Sequence, residues 1–402
     1  MSATGQHRSS LVGPTVSKAK CLAGDSQGAG LYSLALSFFS GGGAMKFSIS
    51  MTCLSAVFFS CAAAAQWQPE KLSDADMARA NEMYQTYCSL CHGEDRSGYR
   101  ADHAPSLKSK SLLSTGLPNF VYMTIGWGRA NTAMEGYAEE MGGPLSDDDL
   151  RLLTTWLAQV DPVEIIELPG DVIEGDVALG GEIYQRECAS CHGETGQGVS
   201  APSLGDQALL AHASDHFLRY AIVNGRDGTP MKSFADELSN EEIDGVVAYL
   251  RSQASGWSPS PPTLVEPPSP DEYVLNPDGE APEFTLREGR YVPAAEVVKA
   301  LEEKKRFILL DTRPASAWQR SHIPGAVPMP YYRDKERAGE NLPNDGTWIV
   351  AYCACPHAAS DYVINNLYEL GYRNMAVIDE GILRWTAMGL PVTAGAQIAL
   401  ED

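Results

Sequence analysis

The stretch MYQTYCSLCHGEDRSG at residues 83–98 is repeated as IYQRECASCHGETGQG at residues 183–198, and this repeat decides the fold of the 402-residue chain. Each copy places a tyrosine and a glutamine ahead of the motif Cys-x-x-Cys-His. The motif residues are Cys88, Cys91 and His92 in the first copy and Cys188, Cys191 and His192 in the second. Two such motifs in one chain indicate two related units rather than chance.

The repeat continues beyond the cysteines in the same register. Ala-Pro-Ser-Leu follows in both copies, at residues 104–107 and 201–204, and a methionine stands thirty residues after each alanine. An arginine that follows a glycine lies five residues before each methionine, so that Arg129 precedes Met134 and Arg226 precedes Met231. Each copy closes with Leu-Ser, acidic residues and apolar residues every three to four positions. This ending predicts an N-capped amphipathic helix, and the long register indicates a complete domain in each copy.

The spacing of Cys-x-x-Cys-His is that of covalent haem attachment. The two thiols add to the two vinyl groups of one haem, and the adjacent histidine is held at the iron as its proximal ligand. A zinc site or a thioredoxin-like dithiol also uses Cys-x-x-Cys, but neither explains the histidine that follows the second cysteine in both copies. The sequence therefore predicts two covalently bound haem c groups.

The pattern resembles class I c-type cytochromes over residues 72–160 and 172–253. The resemblance implies two all-α domains, each with one haem that transfers electrons. It also implies the axial pairs His92 with Met134 and His192 with Met231, because in the family a methionine sulfur before the C-terminal helix completes the coordination of the iron. Met123 and Met141 are nearby alternatives to Met134. Three histidines lie outside the repeat register and are expected at the surface: His103, His212 and His216.

A change in composition marks the end of the second copy. Eight prolines lie between Ser252 and Phe284, with almost no apolar periodicity, and residues 254–284 are therefore expected to form an extended linker. Beyond the linker, the short apolar runs FILLD, WIVAYC and MAVIDEG alternate with helical stretches. This alternation predicts an α/β domain with a parallel sheet over residues 285–402.

The C-terminal region resembles the rhodanese family. The similarity lies in LDTRP at 310–314, WQRSHIPGAVP at 318–328 and DEGILRW at 379–385. The resemblance implies a cysteine that accepts a sulfane sulfur as a persulfide and passes it on. Cys353 ends an apolar run and precedes a helix, where backbone N–H groups stabilise a thiolate and cradle an anion, so Cys353 is the predicted nucleophile.

The loop after Cys353 departs from the family pattern. The segment CACPHAAS at 353–360 is one residue longer than the usual loop, lacks its glycine and arginine, and adds Cys355. Cys355 is an alternative nucleophile, a resolving thiol or a disulfide partner of Cys353, and His357 is a candidate to stabilise a thiolate or an anion. Asp311 with Arg313, and also His322, are expected to be structural.

The start of the chain carries a targeting signal. Residues 45–65 combine one lysine, a short apolar run and an Ala-x-Ala ending at Ala65, which predicts a cleaved signal peptide and a periplasmic protein. The apolar run is too short for a stable membrane span, and bulky residues before Cys61 argue against a lipoprotein. Residues 1–44 lie upstream of this complete signal and are interpreted as a misassigned translation start.

The net charge of −22 restricts the class of partner. It repels phosphate backbones, so nucleic acid is excluded, and it favours redox proteins with a basic docking patch. The leading hypothesis is an exported dihaem cytochrome in which electron transfer is coupled to sulfane or thiosulfate chemistry at Cys353, with sulfurtransferase activity. The alternative hypothesis is an electron carrier whose rhodanese-like domain docks a partner or senses redox state without turnover.

Overall fold

The computed structural model describes residues 67–129, 132–258, 260–354 and 357–394. The predicted signal peptide at 45–65 and the segment at 1–44 lie outside the described residues, as does Cys355. Among the described residues, none of the helices combines the length and the hydropathy that crossing a membrane requires.

Each repeat folds into helices. The helices of the first copy are α1 (Asp74–Tyr87), α2 (Ser89–His92), α3 (Lys110–Gly116), α4 (Asn119–Trp127) and α5 (Asp147–Val160). Those of the second copy are α6 (Val177–Ile183), a π-helical turn at Tyr184–Cys188, α7 (Ala189–His192), α8 (Gln207–His212), α9 (Asp215–Asn224) and α10 (Asn240–Ser252).

Capping and helix crossing fix the frame of each copy. Ser146 and Ser239 begin α5 and α10 with capping boxes, which confirms the predicted N-capped helices. The closing helix packs on the opening helix in both copies, α5 on α1 and α10 on α6. In the second copy this crossing depends on two glycines, since a Cβ built on Gly180 would lie 1.9 Å from the carbonyl oxygen of Gly245.

The two copies pack reciprocally on each other. Helix α3 of the first copy contacts α9 of the second, and α4 of the first contacts α8 of the second. Because α3 corresponds to α8 and α4 to α9 in the repeat, this is the pattern of a twofold-related interface. The rings of Phe120 and Phe217 meet at this interface with their centroids 4.7 Å apart.

The C-terminal domain contains the five strands β1 (Tyr291–Val292), β2 (Phe307–Asp311), β3 (Val327–Pro328), β4 (Trp348–Tyr352) and β5 (Met375–Ile378). They form one parallel sheet in the order β1-β5-β4-β2-β3. The helices are α11 (Ala294–Glu302), α12 (Ala315–Arg320), α13 (Ala358–Glu369) and α14 (Gly381–Ala387). Alternate residues of β2 belong to two separate apolar clusters, so both faces of the sheet are covered. The predicted fold class, two all-α domains followed by an α/β parallel-sheet domain, is confirmed.

The proline-rich segment is less open than a free linker. Tyr273 is buried in the core of the C-terminal domain, and the Leu275 N–H donates to the carbonyl oxygen of Phe307 at 2.9 Å. The side-chain amide of Gln319 holds both backbone groups of Val265, at 2.8 and 2.9 Å. The buried Tyr273 side chain and the backbone hydrogen bonds of Val265 and Leu275 thus attach this part of residues 254–284 to the sheet domain.

Candidate haem centres and the Cys353 site

The Cys-x-x-Cys-His motif is held in the same way in both copies. The Tyr84 hydroxyl donates to the carbonyl oxygen of Gly93 at 2.6 Å, and the Tyr184 hydroxyl donates to that of Gly193 at 2.7 Å. A glutamine amide one residue further on donates to the next carbonyl in each copy. The tyrosine and glutamine that the repeat shares therefore close the turn that carries the cysteines.

The two motif histidines are oriented by carbonyl groups. His92 Nδ1 lies 2.8 Å from the carbonyl oxygen of Pro105, and His192 Nδ1 lies 2.8 Å from that of Pro202. A carbonyl oxygen only accepts, so Nδ1 carries the proton and the Nε2 lone pair is left to bind a metal. Burial lowers the pKa of both imidazoles, which favours the neutral form that coordinates iron.

The two candidate methionine ligands sit on matching loops. The backbone N–H of Arg129 donates to the carbonyl oxygen of Met134 at 2.6 Å, and that of Arg226 donates to Met231 at 2.8 Å. Met123 and Met141 do not line the cavity that is formed by both motif sets, and Met141 is buried in the helical core of the first copy. The geometry thus favours Met134 over its two alternatives.

The histidines outside the repeat register have separate positions. His103 is exposed and lies at the margin of the same cavity. The His212 ring packs edge-on against Trp257, and His216 Nε2 lies 3.2 Å from an Asp171 oxygen. The geometry gives none of the three the carbonyl-oriented position that His92 and His192 share.

One cavity of about 650 Å³ contains both candidate haem sites. Its lining is mainly apolar and includes the cysteines, histidines and methionines of both motif sets: Cys88, Cys91, His92, Met134, Cys188, Cys191, His192 and Met231. Burial raises the pKa of Cys88 to about 12 and that of Cys188 to about 11. These sulfur positions suit neutral groups such as the thioethers of haem c, and the residues present fit two haems.

Two half-buried arginines join the copies beside this cavity. Arg226 Nη1 donates to the carbonyl oxygen of Ser111 at 2.6 Å, and Arg129 Nη2 donates to that of Ser203, so each arginine reaches into the other copy. Burial lowers the pKa of Arg226 to about 10 and also lowers that of Arg129. Both remain cations at neutral pH, and Arg129 Nε has no hydrogen-bond partner among the described residues. Sequence reasoning placed these arginines in register but gave them no role.

Cys353 lies at the carboxyl end of β4, where the sequence placed it. Its side chain is buried, at 2% exposure, and the Ser360 hydroxyl of α13 donates to its Sγ at 3.4 Å. His357 stacks on Tyr291 with centroids 4.0 Å apart, and its Nε2 lies 3.0 Å from an Asp379 oxygen. The His357 ring therefore contacts Tyr291 and Asp379.

The Asp311–Arg313 pair and His322, which were expected to be structural, have partners within this domain. Arg313 Nη2 donates to Asp311 Oδ2 at 2.6 Å, and the Tyr352 hydroxyl donates to the same carboxylate oxygen at 2.9 Å. His322 is fully buried and stacks on Trp318, with its Nδ1 2.8 Å from the Trp318 carbonyl oxygen. The expected structural ion pair of Asp311 and Arg313 is present.

The C-terminal domain contacts the first copy of the repeat through a set of residues that we call the docking face: Tyr87, Leu90, Glu135, Gly136 and Tyr137. The hydroxyls of Tyr137 and Tyr331 are 2.7 Å apart, and Tyr331 also donates to the carbonyl oxygen of Tyr87. The Ser316 hydroxyl donates to the carbonyl oxygen of Gly136. Leu90, between the two motif cysteines, packs on the core of the sheet domain.

Two family profiles match the chain. The profile described as cytochrome C oxidase, cbb3-type, subunit III matches residues 75–157 and 175–250, and the rhodanese-like domain profile matches residues 294–388. The cytochrome bc1 complex cytochrome c subunit of Mycobacterium tuberculosis is 26% identical over 232 residues, which cover 53% of this chain and 72% of that protein. The cbb3-type cytochrome c oxidase subunit FixP of Azorhizobium caulinodans is 28% identical over 194 residues, or 47% of this chain and 63% of that protein.

Solved structures are similar to parts of the chain. The rhodanese-like domain of an Anabaena protein is 27% identical and aligns with a TM-score of 0.24, covering 28% of this chain and 86% of that one. A Kuenenia stuttgartiensis reducing HAO-like protein complex contains a chain that is 21% identical with a TM-score of 0.30, covering 46% of this chain and 99% of that one. From the family profiles, the repeated motif and the fold, the chain consists of two c-type cytochrome domains followed by a rhodanese-like domain.

Proposed function

We propose that the protein is an exported dihaem cytochrome c that passes electrons between its two haems and a redox partner, and that its rhodanese-like domain carries sulfane sulfur on Cys353. The observation that carries the electron-transfer part is the single cavity that both motif sets line. Two haems held in this one mainly apolar cavity would lie close to each other.

Each motif set has a defined task in this proposal. The four motif cysteines would hold the two haems as thioethers, and His92 with Met134 and His192 with Met231 would ligate the two irons. When bound, each haem would supply one-electron transfer at its iron. The cations of Arg129 and Arg226 would pair with the haem carboxylates, and the carbonyl oxygens of Pro105 and Pro202 orient the imidazoles.

The redox partner docks on the second copy. In the first copy the edge of the motif is covered by the rhodanese-like domain, whereas Ser190 and Cys191 of the second copy are exposed. The chain is strongly acidic, so the partner that fits is a redox protein with a basic patch around its own cofactor. The proposed location of both proteins is the periplasm, and this chain would reach it through the signal peptide predicted at residues 45–65.

Charge changes at Ser190 test this docking site. Ser190→Arg is expected to slow reduction of a lysine-rich single-haem cytochrome several-fold, and Ser190→Glu to leave the rate unchanged or raise it. The rate of the unaltered protein is expected to fall steeply with ionic strength. Equal rates for the arginine and glutamate variants would remove the second copy as the docking site.

The sulfur chemistry follows from the position of Cys353 after a parallel strand and before α13. A Cys353 thiolate attacks the outer sulfur of thiosulfate, the new S–S bond forms on Cys353, and sulfite leaves with the electron pair of the broken S–S bond. Intact-mass measurement after thiosulfate treatment is expected to show one added sulfur. The adduct is expected to persist in Cys355→Ser and to be absent in Cys353→Ser; a Cys353→Ser protein that still takes up sulfur would reject this assignment.

A second function has its own supporting observation. Cys353 is only 2% exposed, and α13 packs against α2 of the first cytochrome domain. A buried thiol suits a domain that docks or senses rather than one that turns over. This alternative predicts unchanged electron transfer in Cys353→Ser and no sulfur adduct in the unaltered protein.

A further inference from the structure

Glu135 is a buried carboxylate directly after the candidate iron ligand Met134. It is 6% exposed although it belongs to a cytochrome domain with a solvent surface of its own. Its neighbours are two arginines of the rhodanese-like domain: Arg320 Nη1 lies 3.0 Å from Oε2, and Arg313 Nη1 lies 3.7 Å from Oε1. Oε2 has no aligned hydrogen bond from the described residues, so the attraction is ionic and depends on these two cations.

Arg313 is part of a buried network that reaches the strand before Cys353. Arg313 is 5% exposed and donates to Asp311, and Asp311 accepts the Tyr352 hydroxyl. Tyr352 is the residue before Cys353. A continuous set of polar contacts therefore joins the end of β4 to the loop of Met134, and the domain boundary runs through the Glu135 ion pairs.

The second copy provides the matched comparison. Lys232 occupies the position of Glu135, is exposed, and pairs with Glu237 of its own copy at 2.6 Å. The backbone contacts of the two methionine loops are nevertheless the same, with a threonine hydroxyl 3.1 Å from the methionine N–H in both copies. The copies thus hold their methionines alike and differ in the charge beside them.

A buried charge beside a haem shifts its redox equilibrium. A carboxylate stabilises the oxidised state, which carries one more positive charge, and a nearby arginine opposes that effect. The influence of an exposed charge such as that of Lys232 is weakened by solvent and salt.

We propose that Glu135, balanced by Arg313 and Arg320, is the residue through which the rhodanese-like domain sets the redox potential of the first haem. The proposal rests on the proposed function, since it requires a haem held by His92 and Met134. Contact between the rhodanese-like domain and the docking face then shifts the redox potential of the first haem. The second haem has no such contact with that domain among the described residues and keeps its own potential.

The test is a spectroelectrochemical titration of the full-length protein with both haems. Met134→His and Met231→His serve as reference variants, each of which assigns one redox component to one haem. Arg320→Met is expected to lower the potential of the first haem and Glu135→Gln to raise it, each changing its reduction equilibrium by about threefold or more. The double variant is expected to return toward the unaltered protein, because both charges of the pair are then absent.

Lys232→Gln is the matched control, and its effect on the second haem is expected to be smaller. The proposal is overturned if the Glu135 and Arg320 variants leave the first haem unchanged, if both shift it in the same direction, or if Lys232→Gln shifts the second haem as strongly. If Met134→His moves neither redox component, it is the ligand assignment of the proposed function that fails instead. Arg320 is a third exposed at its side chain, so Arg320→Met is the variant least able to act through misfolding.

Discussion

The two cytochrome domains share one sequence pattern but face different surroundings. The first copy presents the docking face to the rhodanese-like domain, and every residue of that face is changed in the second copy: Tyr87 to Glu187, Leu90 to Ser190, Glu135 to Lys232, Gly136 to Ser233 and Tyr137 to Phe234. The residues that orient the histidines and methionines are preserved. The residues that differ between the copies therefore lie at the contact with the third domain, and the residues that the copies share lie at the candidate haem sites.

The largest expected effect comes from Tyr331, which has no counterpart opposite the second copy. Tyr331→Ala removes a buried ring and both hydrogen bonds to the docking face, and it is expected to lower the free energy of unfolding of the C-terminal domain by about 3–5 kcal/mol. The measurement is denaturant unfolding of the full-length protein. Tyr362→Ala, at a 43% exposed position, is the control and is expected to change it by less than about 0.5 kcal/mol. Equal effects of the two substitutions would mean that the docking face does not stabilise this domain.

A smaller effect on stability is expected at the crossing of the opening and closing helices, where the two copies differ in one small residue. The first copy has Ala80 at the position of Gly180, and Ala80 is fully buried. Gly180→Ala is expected to destabilise the second copy by about 1–3 kcal/mol, because the added methyl group meets the backbone of α10. Thermal unfolding followed at the second haem measures this cost. A neutral or stabilising result would show that the close crossing of α6 and α10 is not required.

The smallest expected effect concerns Asp227, whose carboxylate joins the copies by accepting the Lys110 and Ser111 N–H groups at 2.8 Å each. Burial alone would raise its pKa, but the donors of Ser111, Lys110 and Ser109 outweigh burial and lower it to about 2 from 3.8. A lowered pKa stabilises the fold above pH 3.8, and this contribution is lost as the pH falls toward 2.

Asp227→Asn is accordingly expected to cost about 0.5–1 kcal/mol at neutral pH, the size of an exposed helix cap after solvent screening. The difference from the unaltered protein is expected to shrink as the pH falls from 3.8 through 2 and to vanish below that range, where the Asp227 side chain is also neutral. Unfolding measured across the acid range checks this. A difference that stays constant down to pH 2 would contradict the assigned role of the carboxylate.

Much of the fold was predictable because its signals are local. The motif, the capping serines and the alternating apolar runs each lie within a short window, and they predicted the helical repeat and the parallel sheet correctly. The position of Cys353 at the end of β4 was likewise readable from the apolar run before it. These predictions needed no knowledge of how the three domains meet.

The domain contact was not predictable, because its residues resemble ordinary interior or surface residues in the sequence. Tyr137 and Tyr331 are 194 positions apart, and either could be explained within its own domain. Glu135 reads as a surface residue until the arginines that neutralise it are known. Arg129 and Arg226 were visible in the repeat register, but their half-buried positions beside the cavity depend on the reciprocal packing of the two copies. The attachment of Tyr273 and Leu275 to the sheet likewise needed the folded structure.

Intact-mass measurement of the protein purified from cells that mature c-type cytochromes tests the central claim most directly. The account predicts two covalent haem additions per chain, reduced to one in Cys88→Ala/Cys91→Ala and, separately, to one in Cys188→Ala/Cys191→Ala. A single addition in the unaltered protein, or none, would contradict it.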